Sequence, residues 1–294
     1  MNDMKHTFKI DLHIHTAFSD GTDRPELIKD LVKDKGITLF SVTDHDTTKA
    51  AGLIPPLLQE GDPDFLSGIE FSCRDEKGKY HILGYGYDPL SPHIEKVVAM
   101  GHGYRMDKLS QRLDFLKNEY GFVFSIEDTQ SLFALSNPGK PHIGNMMVKY
   151  GYAENKQQAI NEYINNCHSD NSYVRPEQAI GCILRSGGIP ILAHPAYGSG
   201  DQLILGGEME SRLLRLMDFG LQGLEGFYSG FTSKLRDEML FFAEKYDLYI
   251  TAGSDYHGAN KMVKLGDTGL DEVSQPPRGL RSFLEVISDK TISG

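Results

Sequence analysis

The sequence predicts an α/β protein in which parallel strands form a barrel, with a mostly helical insertion between two parts of that barrel. Short apolar runs rich in Ile, Leu, Val, Thr or Phe alternate with helix-like segments, as expected for strand–helix–strand units. About seven such runs occur, mostly each followed by a helix, and no GxGxxG fingerprint or P-loop is present. The pattern therefore favours a barrel over an open, doubly wound nucleotide-binding sheet.

The first barrel part is predicted to span residues 1–88. FKIDLH predicts the first strand, and a helix with Pro25 in its first turn and Gly36 at its end follows. The second strand is predicted from Ile37 to Val42, and a short Ala-rich helix comes next. FLSGIEFSC and KYHILGYGY predict two further strands, because both are apolar and the turn sequence DEKG separates them.

Residues 89–175 are predicted to be the helical insertion, because apolar residues recur there at helical spacing, most clearly from Pro92 to Tyr120. The second barrel part is predicted to span residues 176–294, where the alternation resumes. Its predicted strands are Ile189–Ala193, Leu221–Phe227 and Tyr249–Ala252, and its predicted helices are Pro176–Ser186, Glu208–Phe219, Thr232–Tyr246 and a last one near Leu280–Ser288.

Composition excludes several classes of protein. No apolar stretch approaches the ~18 to 20 residues of a membrane span, and the first residues show no apolar core of a secretory signal, so we expect a cytoplasmic protein without a membrane partner. The three cysteines are widely spaced, which argues against a disulfide framework. A net charge of −11 disfavours long nucleic acids as partners but is compatible with a small anionic substrate at a cationic site.

Histidines and carboxylates at the ends of the predicted strands indicate a metal centre. His13 and His15 lie two residues apart on a strand, so both imidazoles point to the same side. Further His, Asp and Glu residues follow other strand-like runs, and the exits of parallel strands meet at one end of a barrel. Nine residues are too many for one ion, so we predict a cluster of two to three ions, with the candidate ligands His13, His15, Asp20, His45, Glu70, His81, His194, Asp255 and His257.

The ligand types suggest both the metal and the reaction. Imidazole and carboxylate without thiolate suit Zn²⁺, Mn²⁺ or Fe²⁺, with Mg²⁺ also possible, and Glu70 and Asp255 are candidates to bridge two ions. Adjacent ions activate water and neutralise phosphoryl charge, which favours phosphate esters over amides as substrates. We therefore predict hydrolysis by a metal-bound hydroxide, with Glu70, Asp255 and His257 as catalytic residues.

The segments DLHIHTAFSDGT, SVTDHDT, GIEFSC, HILGYGYD, ILAHPA and TAGSDYHG together resemble the ordered motifs of the polymerase and histidinol phosphatase (PHP) superfamily. The resemblance covers residues 8–88 and about 180–258. It implies a distorted (β/α)7 barrel that binds up to three divalent ions. It also implies three ligand groups, namely His13, His15, Glu70 and Asp255; Glu70, His81 and His194; and Asp20, His45 and His257.

Within this superfamily, the chain is most similar to the stand-alone phosphoesterases. Three features carry this similarity, namely the helical insertion, Lys140-Pro141-His142 and Gly-Leu-Glu at 223–225. That branch includes enzymes acting on nucleoside monophosphates, on 3′,5′-nucleotide bisphosphates and on short oligoribonucleotide 5′ ends. The resemblance therefore implies a small phosphorylated substrate, and we predict a nucleoside monophosphate or a 3′,5′-nucleotide bisphosphate. We predict substrate contacts from Lys140, His142, Arg175 and Tyr228, with the insertion as a substrate-selecting lid. The branch more often has Arg before Pro-His, and Lys140 cannot form a bidentate fork with a phosphate.

Alternatives differ in substrate or in class. A histidinol-phosphate phosphatase or a 5′ to 3′ oligoribonuclease acting on a short oligonucleotide would use the same metal site. A non-catalytic metal-binding PHP module is disfavoured by the complete ligand set. An amide hydrolase is disfavoured because it usually shows a carboxylated lysine or another ligand order.

Overall fold

The computed structural model describes residues 9–168, 172–198 and 202–293. The chain forms two compact units, one made of Met1–Val98 with Val174–Gly294 and the other of Ala99–Tyr173. Phe8, with which the predicted first strand begins, lies outside the described residues. No helix in the described ranges is long and apolar enough to cross a membrane.

The first unit contains all eight described strands, in two sheets. Their bounds are β1 Ile10–Ile14, β2 Leu39–Val42, β3 Asp64–Phe65, β4 Gly68–Asp75, β5 Gly78–Tyr85, β6 Ile189–Leu192, β7 Gly223–Tyr228 and β8 Tyr249–Gly253. One sheet has the order β1-β2-β3 and is parallel, while the other has the order β4-β5-β6-β7-β8. The strands β6, β7 and β8 are parallel to one another, as predicted from the strand–helix alternation.

The strand β5 differs from the prediction of a parallel barrel, because it runs antiparallel to both β4 and β6. A tight hairpin is the physical reason for the antiparallel pairing of β5 with β4. The side chain of Asp75 accepts a hydrogen bond from the Lys77 amide at 2.8 Å, and Gly78 has a φ of 143°, so the chain reverses within two residues. The architecture is therefore a mixed α/β fold.

Backbone hydrogen bonds join the ends of strands from the two sheets. After β1, the His15 amide donates to the Tyr256 carbonyl at 2.8 Å, and the Asp255 amide donates to the His13 carbonyl at 2.8 Å. After β2, the Asp46 amide donates to the carbonyl of Glu70 in β4 at 2.9 Å. These bonds place the ends of β1, β2 and β8 and the start of β4 next to one another.

Helices and the apolar faces they cover complete the first unit. Its helices include α1 Ile28–Asp34, α2 Lys49–Leu53, α7 Pro176–Arg185, α8 Gly206–Asp218, α9 Ser233–Lys245 and α10 Arg278–Ile287. Ile28 and Val32 of α1 are buried against β1 and β2 in a cluster that includes Ile14 and Phe40. Burying side chains of this size stabilises the fold by about 1.5–3 kcal/mol each before entropy losses.

The second unit is helical, with a core of its own. Helix α3 Pro92–Tyr120 begins in the first unit and ends in the second. The helices α4 Ile126–Phe133, α5 Lys140–Lys149 and α6 Lys156–Gln158 follow it. Leu109 and Leu116 of α3, spaced seven residues apart, pack with Ile143 and Met147 of α5. The side chain of Ser125 accepts a hydrogen bond from the Asp128 amide and caps α4.

Candidate metal centre

His13 and His15 on β1 present their ring nitrogens to one point. The strand alternation places both rings on the same face, and both side chains are fully buried. Their Nε2 atoms lie 3.1 Å apart. Two ligands bound at about 2.0–2.1 Å in a tetrahedral arrangement stand roughly 3.3–3.4 Å apart. The spacing of the two nitrogens therefore fits two ligands of one ion.

Glu70 on β4 directs its two carboxylate oxygens to different pairs of histidines. Its Oε2 lies 3.3 Å from His13 Nε2 and 3.0 Å from His15 Nε2. Its Oε1 lies 2.8 Å from His81 Nδ1 and 3.3 Å from His194 Nε2. One carboxylate can join two adjacent ions when each oxygen binds one of them, and the geometry of Glu70 has this form.

Asp20, His45 and His257 form a further group beside His15. Asp20 Oδ1 lies 3.2 Å from His257 Nε2, and Asp20 Oδ2 lies 3.9 Å from His45 Nε2. The ring of His15 stacks on that of His257 with a centroid distance of 4.1 Å. The third group predicted from the sequence is thus assembled in the fold.

Asp255 joins the first group through one oxygen. Its Oδ1 lies 3.6 Å from His13 Nε2 and 3.4 Å from His15 Nε2. All nine predicted ligands are therefore brought together in the first unit. Some are shared between possible sites, since His45 Nδ1 also lies 3.2 Å from Glu70 Oε2. Within the described part of the chain, three sets of donor atoms have metal-binding spacing, namely His15, Asp20, His45 and His257; His13, His15 and Glu70; and His45, Glu70 and His81.

Two buried atoms support a cation at this place. Asp20 Oδ1 and His81 Nδ1 have no aligned hydrogen-bond partner among the residues that the structure describes, although each lies close to another candidate ligand. Leaving such an atom unsatisfied costs about 1–3 kcal/mol. Atoms that approach one another without hydrogen-bond alignment can instead share an ion, so the donor set fits a bound metal.

The electrostatics of the cluster favour a neutral ring at His15 and a charged carboxylate at Glu70. Burial, together with the neighbouring His257 and His45, lowers the pKa of His15 to about 3, so its ring is neutral and has a free lone pair. Burial alone would raise the pKa of Glu70, but the surrounding histidines, above all His45, hold it well below its usual range. Neutral imidazole and ionised carboxylate are the forms that bind metal ions.

Two of the ligands occupy the left-handed region of backbone conformation. His194 after β6 has a φ of 27°, and Asp255 after β8 has a φ of 58°. Such residues cost of order 1–3 kcal/mol each and concentrate at functional sites. Gly253 allows this part of β8 to approach β1, because an added Cβ would lie 2.2 Å from His13 Cβ. The backbone is thus shaped to direct both side chains into the cluster.

Glu225 in β7 is a functional residue that was not predicted as such from the sequence. It is fully buried, and its Oε1 lies 2.9 Å from His13 Nδ1 while its Oε2 accepts a hydrogen bond from the His194 amide at 2.8 Å. It therefore orients two candidate ligands, as carboxylates behind metal-bound histidines commonly do. An isolated carboxylate inside the apolar run Leu221–Phe227 was the signal that could have identified it.

Two buried aspartates hold the loops that carry the ligands. Asp44 accepts hydrogen bonds from the Thr16 amide, the Thr16 hydroxyl and the Ser19 hydroxyl, which supports the loop leading to Asp20. Asp11 accepts hydrogen bonds from the Ser254 amide and hydroxyl and from the Gly266 amide. Burial raises the pKa of Asp11 to about 6, although these donors lower it.

The predicted substrate contacts have different surroundings. Tyr228 donates to Asp255 Oδ2 at 2.9 Å, and its ring centroid lies 5.5 Å from that of His194, so it is part of the cluster. Burial and the neighbouring Asp255 raise the pKa of Tyr228, which keeps it a neutral donor. Arg175 precedes α7 and forms ion pairs with Glu76 at 2.9 Å and Glu177 at 2.5 Å.

Lys140 and His142 lie in the second unit at the start of α5. His142 Nδ1 accepts a hydrogen bond from the Gly139 amide at 3.1 Å, and Lys140 Nζ donates to Asn165 Oδ1 at 2.5 Å. The first of these bonds satisfies a free amide at a helix start. A role of either residue in substrate binding stays a prediction.

Comparison with known proteins identifies the family. The model of the PHP domain matches residues 11–175, which is more than half of the chain. The chain belongs to the PHP domain family. The family resemblance inferred from the ligand motifs is thereby confirmed. The match begins at β1 and includes six of the nine candidate ligands, while His194, Asp255 and His257 follow it in the sequence.

Relatives of this PHP protein are named as phosphoric ester hydrolases. A phosphoribosyl 1,2-cyclic phosphate 1,2-diphosphodiesterase from Eggerthella lenta is 28% identical over 257 residues, covering 84% of this chain and 94% of the relative. A 3′,5′-nucleoside bisphosphate phosphatase from Chromobacterium violaceum is 28% identical over 259 residues, covering 84% of this chain and 87% of the relative.

A solved structure from Bifidobacterium adolescentis, assigned as a metal-dependent phosphoesterase, superposes with a TM-score of 0.75 at 26% identity. The match covers 95% of this chain and 96% of the chain from Bifidobacterium adolescentis. These findings bear out the predicted enzyme class. The protein is a metal-dependent phosphoric ester hydrolase.

Proposed function

We propose that the enzyme hydrolyses a small phosphate monoester of a nucleotide, either a nucleoside monophosphate or a 3′,5′-nucleotide bisphosphate, at a centre of two to three divalent ions. Divalent ions bound there would supply an activated water and neutralise the phosphoryl charge. Zn²⁺, Mn²⁺ and Fe²⁺ match the imidazole and carboxylate donors. The proposal includes the ligand roles of the nine predicted residues.

The observation that carries this proposal is the position of Glu70 between two pairs of histidines. A single-ion site would need only one of its oxygens, whereas both oxygens lie within 3.3 Å of imidazole nitrogens. A centre with two adjacent cations suits phosphoryl transfer, where charge develops on both the attacking and the leaving oxygen. Glu225 and Tyr228 would keep His13 and Asp255 oriented while substrate binds.

A finer architectural proposal accompanies the functional one. We infer that the two sheets of the first unit form one distorted barrel of the (β/α)7 type. The single bridges between Ile14 and Tyr256 and between His45 and Glu70 support it, because they connect β1 and the segment after β2 to the two edge strands of the other sheet, at β8 and β4. All nine ligands would then lie at one end of this barrel, which is where enzymes with such folds place their chemistry.

An aromatic group beside the centre supports a nucleotide as the substrate. Tyr228 packs against Phe231 and Tyr197, with ring centroids 5.3 and 5.9 Å away. All three rings are half-buried, and Tyr228 also lies against His194. Part-exposed rings next to a phosphoryl site offer a surface on which a planar base can stack. One of the two relatives is named for a phosphoribosyl cyclic phosphate and the other for a 3′,5′-nucleoside bisphosphate.

A pair of substrates with the same scissile bond tests the nucleotide assignment. Adenosine 5′-monophosphate and ribose 5-phosphate share the 5′-phosphate and differ in the base. We expect a higher kcat/KM for the nucleotide. We also expect Phe231→Leu to reduce kcat/KM about tenfold for the nucleotide alone, since stacking on an aromatic ring contributes about 1–3 kcal/mol per base.

Phe241→Leu is the matched control, because Phe241 is an exposed aromatic residue on α9 and its ring packs against Phe242. Histidinol phosphate and a short RNA with a 5′ phosphate complete the substrate panel. Equal losses for the nucleotide and for ribose 5-phosphate in Phe231→Leu would contradict base stacking. A preference for histidinol phosphate or RNA would replace the nucleotide assignment.

The predicted lid has a separate test. We expect Lys140→Ala and His142→Ala to raise KM for the nucleotide with little change in kcat or metal content, as loss of uniform binding does. Both variants should narrow the difference in kcat/KM between a nucleotide and an aryl phosphate, because the aryl phosphate does not use the insertion. An unchanged ratio would place specificity on the loops of the first unit.

A further inference from the structure

Lys261 contacts the candidate metal centre from a loop that follows the last ligand. Its Nζ lies 2.6 Å from Asp255 Oδ2, and its side chain is 41% exposed. Asp255 directs the other oxygen, Oδ1, toward the ring nitrogens of His13 and His15. One carboxylate therefore links the ammonium of Lys261 to the first ligand group.

The contact with Asp255 leaves part of the ammonium unused. An ammonium group carries three N–H donors, and a single carboxylate oxygen takes one of them. Asp255 Oδ2 also accepts the Tyr228 hydroxyl hydrogen bond at 2.9 Å, so a second donor already stabilises this oxygen. Because the Lys261 side chain is not buried, its remaining donors can reach a ligand that enters the centre from solvent.

The charge of the substrate suits such a donor. A phosphate monoester carries up to two negative charges, and its transition state spreads charge over three equatorial oxygens. A lysine next to the ligands offers a point charge to an oxygen that is not held by an ion. We propose that Lys261 donates to a non-bridging phosphoryl oxygen of the substrate and that Asp255 holds the ammonium beside the metal centre for this contact.

This inference rests on the proposed function, and inorganic phosphate, the product of monoester hydrolysis, is the probe that tests it without turnover. Calorimetric titration of phosphate into the metal-loaded wild-type enzyme gives the reference affinity. Lys261→Met keeps the length of the side chain and removes its charge. We expect this variant to bind phosphate about tenfold or more weakly at unchanged metal content, as expected for a lost hydrogen bond from a charged group.

Two further variants separate binding from other effects. Lys261→Arg keeps the positive charge and should retain most of the phosphate affinity. Lys264→Met removes an exposed lysine three residues further along the same loop and should bind phosphate like the wild type. In steady-state assays, Lys261→Met should raise KM for the nucleotide and the Ki of inorganic phosphate together.

The results that would contradict the role of Lys261 differ from the result that would contradict the proposed substrate. Equal phosphate affinity in wild type and Lys261→Met would overturn the proposal. Loss of metal in Lys261→Met, with normal phosphate affinity once metal is restored, would show that Lys261 acts only through Asp255 and would also overturn it. A wild-type enzyme that binds phosphate but hydrolyses no nucleotide would refute the proposed substrate, while the titrations would still decide the role of Lys261.

Discussion

Replacing Glu70 by Gln should lower kcat at least about a thousandfold, which corresponds to about 4 kcal/mol of transition-state stabilisation. The substitution preserves size but removes the negative charge and converts one of the two ligand oxygens into an amide nitrogen that cannot bind a metal ion. Because the two oxygens of Glu70 face different histidine pairs, the variant can no longer join two ions. Steady-state kinetics and elemental analysis of the same samples measure the effect.

Glu225→Gln is the matched comparison for Glu70→Gln, because it makes the same chemical change at a buried carboxylate that contacts ligands without being a predicted ligand. Second-layer partners of metal-bound histidines typically contribute 10- to 100-fold in metal affinity or activity. We therefore expect a smaller loss in this variant, with partial recovery at high metal concentration. A Glu70→Gln variant with near-normal kcat and full metal content would refute the bridging role.

Removal of metal ions should abolish hydrolysis, and addition of Zn²⁺, Mn²⁺ or Fe²⁺ should restore it. The donor set of nine residues predicts more than one equivalent of metal per chain in protein purified without chelator. Elemental analysis combined with metal titration measures the number. A content that never exceeds one equivalent, even under metal supplementation, would contradict the proposed cluster and leave a single-ion site.

Metal affinity should fall as the pH falls. Burial lowers the pKa of His13, but the negative charges of Glu225 and Glu70 outweigh this effect and raise its pKa well above the ordinary value. His13 thus holds a proton more tightly than an ordinary histidine does, and a metal ion must displace that proton. Each displaced proton changes the apparent affinity about tenfold per pH unit. An affinity independent of pH between 6 and 8 would show that no such proton is released.

The local pattern of the sequence was sufficient to predict the strands that carry the site. Alternation along β1 places His13 and His15 on one face in any fold that keeps this strand, and the short apolar runs before His45, His194 and Asp255 predicted further strands. Side-chain period and strand length are local properties, so they can be predicted from the sequence without knowing which strands pair with one another. The sequence DEKG likewise predicted the turn between β4 and β5, at which Asp75 and Gly78 pair in the structure.

Pairing across the chain could not be predicted in the same way. The antiparallel pairing of β5 with β6 joins segments more than a hundred residues apart in the sequence, and nothing in either strand specifies its direction. The supporting residues were missed for a related reason. Glu225 and Lys261 have their roles only because β7 and the loop after β8 lie beside His13 and Asp255.

The sequence by itself determined which residue types are present for metal binding and that they follow strands, because these depend on composition and short-range periodicity. Only the tertiary structure decided how the donors are shared. Glu70 serves two pairs of histidines, and His45 approaches both Glu70 and Asp20, through contacts that link distant segments at distances of 2.8–3.9 Å. Such distances arise from the packing of whole strands against one another, which the order of residues along any one strand does not specify.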